Sequence, residues 1–135
     1  MGHHAIAIVI RLVGLGAALG TYYASLPYLF PDSTDANIGA GLIAFGAVLL
    51  IAFGWAVVDG RRWGAASTTV TWAFVAAAFG MLWLLGLAVL EADDSMSLTE
   101  RLRLDASLAV FIAGLVFVPA GLGAALGGSG HRSDS

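Results

Sequence analysis

The sequence predicts an all-α integral membrane protein, an antiparallel up-down four-helix bundle, and three observations carry that prediction. Charged residues leave four long gaps, at 12–31, 36–58, 63–90 and 106–130, of 20, 23, 28 and 25 residues. A helix rises ~1.5 Å per residue and the hydrocarbon core is ~30 Å thick, so about 20 apolar residues make one crossing. Hydrophobic residues form 59% of the 135-residue chain and charged residues 11%, with a mean hydropathy of +0.90. An ordinary soluble domain carries about 25% charged residues. Finally, the links between the gaps are short and polar, so residues 1–127 read as one transmembrane unit with no length left for a soluble domain.

The first helix is expected over 9–30. Pro27 and Pro31 bracket its exit, and Asp32 to Asp35 form a polar turn in which Asp35 is placed to cap the next helix. Apolar residues 5–10 make a poor signal peptide, because Arg11 follows the apolar run instead of preceding it. The second helix is expected over 36–58. Asp59 to Trp63 then form a tight return, and so short a link makes the second and third helices antiparallel neighbours.

The third helix is expected over 64–90. In the charged segment that follows, Ser97 and Glu100 have capping-box spacing, which predicts a short interfacial helix at 98–103 leading into the fourth span at 104–127. Pro119 frees a carbonyl near Leu115. Residues 128–135 are read as a disordered polar tail.

Basic residues are retained on the cytoplasmic side of a membrane. One side of a four-span arrangement holds Arg11, Arg61, Arg62 and Arg132, and the other holds Arg101 and Arg103. Both termini are therefore predicted to be cytoplasmic. All six basic residues are Arg, a bias that suggests a high-GC prokaryotic genome and a location in the prokaryotic plasma membrane.

Two sets of residues stand out. Gly16, Gly20, Gly114, Gly121 and Ala125 recur at helical spacing, as do Gly39, Ala40 and Ala44, and small faces of this kind let helices meet closely in lipid. They are candidates for a helix-packing interface, within the bundle or in a homo-oligomer or larger membrane complex. Arg11, Arg61, Arg62 and Trp63 are candidates for contact with inner-leaflet lipid or a partner. For Arg11 two frames exist. A span starting at residue 5 would bury it and demand a carboxylate or phosphate partner, whereas the 19 residues 12–30 cross the bilayer and let it reach the headgroups. The second frame is adopted.

Trp72, Phe79 and Trp83 point in nearly one direction on the third helix, a stripe suited to gap filling or to facing lipid. Ser67, Thr68, Thr69 and Thr71 cluster at its start, where hydroxyls commonly bond to the preceding turn. His3, His4 and His131 lie at the termini, and Cys is absent, so no metal site or cofactor is expected. No nucleophile, acid and base can be assembled at one membrane depth, so no catalytic residue and no enzymatic activity are expected. No basic patch exists for nucleic acid.

With no ionisable residue foreseen inside the second to fourth helices, ion-coupled transport is not expected either. The function expected is that of a non-catalytic accessory or scaffold subunit, with an oligomeric channel or transporter component for a small solute as the alternative.

Overall fold

In lipid every backbone amide and carbonyl must find a partner within its own segment, which leaves a long apolar run little choice but a helix. A computed structural model describes residues 2–29, 36–90 and 97–130. It contains four helices: α1 (Gly2–Leu29), α2 (Ala36–Trp63), α3 (Ala65–Leu90) and α4 (Leu98–Ser129). Their candidate spans run 25, 25, 25 and 31 residues, each more than the ~20 needed to cross a bilayer. This is the organisation of a small multi-pass membrane protein.

The helices differ from expectation at three ends. α1 begins well before Arg11. α2 continues through Asp59 to Trp63, so the expected five-residue return is helical and Gly64 alone separates α2 from α3. Gly64 can do this because it takes φ +80°, a left-handed conformation that closes a helix without a Cβ clash. Its amide still donates to the Gly60 carbonyl (3.0 Å) and its carbonyl accepts from Thr68 (3.2 Å), so neither helix end is orphaned there. α4 is one continuous helix in which 98–103 form the first turns, and it extends past Gly127 to Ser129.

The capping box foreseen at its start is present. The Ser97 hydroxyl accepts from the Glu100 amide at 3.3 Å, and the Ser97 amide donates to the Glu100 carboxylate at 3.4 Å. The expected Asp35 cap and residues 131–135 of the tail lie outside the described residues.

α4 is the central helix, packed along both α2 and α3. Every fourth residue of α2 from Ala40 through Ala44, Val48, Ala52 and Ala56 to Gly60 is buried, as are Ile112, Val116, Ala120 and Ala124 of α4. Residues four apart form a continuous ridge on a helix surface, and here alanine and glycine make up most of the α2 ridge and the second half of the α4 ridge. The backbones consequently come very close. A Cβ at Gly60 would lie 2.7 Å from the Ala124 carbonyl oxygen, one at Gly80 would lie 2.8 Å from that of Ala109, and Gly123 and Gly127 face the carbonyl oxygens of Phe53 and Val57. Gly128 is seated against Ala65.

α1 meets the rest far more sparsely. Leu15 is its one fully buried apolar side chain among the described residues. A groove of about 350 Å³ remains open between α1 and α3, with Leu12, Gly16 and Leu19 on one wall and Phe79, Trp83 and Gly86 on the other.

Candidate functional site

The densest chemistry in the molecule lies where the first third of α1 meets the last turns of α2 and the first turns of α3. Arg11 and Asp59 are 3% and 4% exposed, which makes them a buried ion pair. Arg11 Nε and Nη2 donate to Asp59 Oδ2 at 2.9 and 2.6 Å, and Nη1 donates to the Ala7 carbonyl at 2.6 Å. Trp72 Nε1 donates to the same Asp59 oxygen at 3.0 Å. One carboxylate thereby ties together three helices.

Each partner has a local reason to need the other. Asp59 sits one turn from the C-terminus of α2, where the helix dipole disfavours a negative charge, so its carboxylate depends on outside donors. Arg11 sits six residues into the apolar portion of α1, where an unpaired guanidinium would cost several kcal/mol on the order of other charges removed from water. Three indoles complete the enclosure. The guanidinium carbon lies 5.7 Å from the Trp55 ring centroid, 5.0 Å from that of Trp63 and 5.8 Å from that of Trp72. Trp55 and Trp72 meet edge to face, their centroids 6.3 Å apart. A desolvated cation over an indole face gains about 2 kcal/mol or more, so the cage offsets part of the hydration that Arg11 gives up.

This overturns the adopted frame for Arg11. The side chain is buried against Asp59 instead of extending outward, because α1 starts before it and α2 continues past 58, which sets the guanidinium opposite a carboxylate expected in a loop. The statement that α2 holds no internal ionisable residue is corrected with it: once Asp59 to Trp63 are helical, Asp59 lies inside the helix.

The other candidate residues are dispersed. Arg61 and Arg62 are exposed on the last turn of α2, and Trp63 is about half exposed while its ring covers Arg11. Gly16, Gly20, Gly114 and Gly121 have nothing within 4 Å of a would-be Cβ, and Ala125 is exposed, so none of these five mediates a close approach within the chain. Among the described residues that role belongs to Gly60, Gly80, Gly123, Gly127 and Gly128, which meet a neighbouring helix, and to Gly14, whose Cβ would lie 2.9 Å from the Trp55 ring. Ala40 and Ala44 are buried as small-residue packing positions.

Trp72 and Phe79 face the interior rather than lipid. Thr69 and Thr71 donate to the carbonyls four residues earlier, at 2.8 and 3.0 Å, whereas the buried Thr68 hydroxyl has no partner among the described residues. At the opposite end of α1, the Tyr22 hydroxyl donates to the Ala40 carbonyl at 2.9 Å. The missed residue, Asp59, carried one readable signal: it lies four positions before Trp63 on a helix that nothing terminates until Gly64.

Set beside protein-family models, curated proteins and solved structures, the chain matches none of them.

Proposed function

We propose that this protein is a non-catalytic multi-pass membrane subunit, an accessory or scaffold component of a prokaryotic plasma membrane that packs against itself or a larger membrane partner. The observation that carries this reading is the division of its glycines. One set brings α4 against α2 and α3, while a Cβ on Gly16, Gly20, Gly114 or Gly121 would meet nothing within 4 Å, which leaves room at these positions for another helix.

The contact register supports the up-down arrangement. Arg11 near the start of α1 meets Asp59 near the end of α2, and Tyr22 near the end of α1 meets Ala40 near the start of α2. The excess of Arg at the end carrying Arg11, Arg61 and Arg62 favours cytoplasmic termini. The exposed Arg61 and Arg62 beside Trp63 suit contact with anionic lipid headgroups.

Asp59 reopens the question of ion coupling, and its surroundings argue against that role. Its charge is matched by Arg11, and Oδ2 already accepts three hydrogen bonds, so a mobile cation would have to displace a tethered one. The purified protein in sealed vesicles is expected to leave a proton or sodium gradient decaying at the rate of empty vesicles. Saturable dissipation would instead favour the channel or transporter component, a reading to which the unpartnered Thr68 hydroxyl lends itself.

Mass measurement in mild detergent tests the main reading directly. The protein component is expected to exceed one 13.8-kDa chain. Replacing Gly16 and Gly20 together by Leu should reduce it toward one chain without lowering the unfolding temperature. A single chain with no companion in the wild type would refute the proposal.

A further inference from the structure

We propose that Asp59, Trp55, Trp63 and Trp72 form a binding site for a flat monovalent cation of the guanidinium class, and that Arg11 is the ligand the chain itself supplies. Everything that recognises the guanidinium, apart from its tether, lies outside the Arg11 side chain. Asp59 Oδ2 takes Nε and Nη2, the Ala7 carbonyl takes Nη1, and three indole rings stand 5.0 to 5.8 Å from the central carbon. Trp72 acts twice, as a ring beside the cation and as the N–H donor that orients the carboxylate.

The enclosure selects on shape as well as charge. A guanidinium is planar, weakly hydrated and armed with donors at its edge, so it gives up little water to stack on indoles while its N–H groups reach an acceptor. An ammonium is compact and strongly hydrated and would lose more on entering. Among the described residues the other charged groups at this end, Arg61 and Arg62, are exposed and screened by water and salt, whereas Asp59 is buried. An uncompensated carboxylate at such a site creates a strong demand for a cation.

Access depends on α1. Trp63, about half exposed, is the most open ring of the cage, and the occupant is carried by the helix with the sparsest packing. With Arg11 in place the site is filled.

The test is titration of Arg11→Ala, in detergent, with methylguanidinium and separately with methylammonium at millimolar concentrations, followed by unfolding temperature and tryptophan fluorescence. Methylguanidinium should stabilise the variant saturably, with a response at least about tenfold that of wild type at equal concentration, and methylammonium should act much more weakly. The response should vanish in the Arg11→Ala, Asp59→Asn double variant. If Arg11→Ala does not stay folded alone, recovery of a monodisperse helical protein in methylguanidinium is the readout, with Arg11→Gln tested in parallel. Absence of any saturable effect in both variants, equal effects of the two cations, an equal response from wild type, or persistence of the response without the Asp59 charge would each overturn the proposal.

Discussion

α4 and α1 are held to the same two neighbours by opposite means. α4 meets α2 and α3 through glycines and alanines that let backbones approach until carbonyl oxygens face Cα atoms. Among the described residues α1 has no such backbone contact on α3; it sets one glycine, Gly14, against the Trp55 ring of α2 and buries Leu15 in the core. Its hydrogen bonds to α2 are the Arg11–Asp59 pair at one end and the Tyr22 to Ala40 bond at the other. Lipid is as apolar as the helices, so hydrophobic burial cannot hold them together and other forces must. The contrast teaches that one small bundle can use both solutions, a long shallow contact for one helix and a few localised bonds for another.

The largest effect should come from separating the ion pair. Asp59→Ala leaves Arg11 buried without its carboxylate and is expected to cost about 3–5 kcal/mol, measured by thermal unfolding in detergent. Arg11→Met combined with Asp59→Leu should recover most of that loss, because a well-packed apolar pair often replaces a buried ion pair at little net cost. Were Asp59→Ala as stable as wild type, the polar account of how α1 is held would fail.

On the other side of the comparison, Gly127→Leu should cost about 1–3 kcal/mol by forcing α4 away from the Val57 carbonyl. That loss should be additive with Tyr22→Phe, since the two positions share no partner. Tyr22→Phe itself deletes one hydrogen bond and should cost about 0.5–1.5 kcal/mol in the same assay.

The smallest effect is expected at Gly121. Ala there meets nothing within 4 Å, so stability should change by no more than about 0.5 kcal/mol. A shift in oligomer mass at constant stability would mark this face as a contact between chains, and a large stability loss would contradict the division of glycines described above.

Much of this was readable from spacing. The charge-free gaps mark all four helices, Ser97 and Glu100 announce the start of α4, and the small residues of α2 at Ala40 and Ala44 belong to its buried ridge. The four-residue repeat from Ala40 to Gly60 was equally open to inspection, yet glycine drew attention to Gly114 and Gly121 instead of the adjacent pair Gly123 and Gly127. Both pairs are small residues at helical spacing, and which pair faces a neighbour depends on how the helix is rotated in the bundle, a property of tertiary packing. Asp59 was hidden for a different reason. A charge at the edge of an apolar gap looks like a loop residue until its partner is known, and the partner stands 48 positions earlier in the chain.

That separation has a consequence for how the protein is made. Synthesis proceeds from the N-terminus, so Arg11 emerges and meets the membrane before Asp59 exists. During that interval a guanidinium on an apolar helix is most easily kept charged near the headgroups, which its long side chain can reach. Gly64 then matters in a new way: with a single residue between them, α2 and α3 enter together as a hairpin, and the carboxylate that admits Arg11 comes with its Trp72 donor already beside it. The first helix therefore gains its buried polar partner only when the second and third arrive.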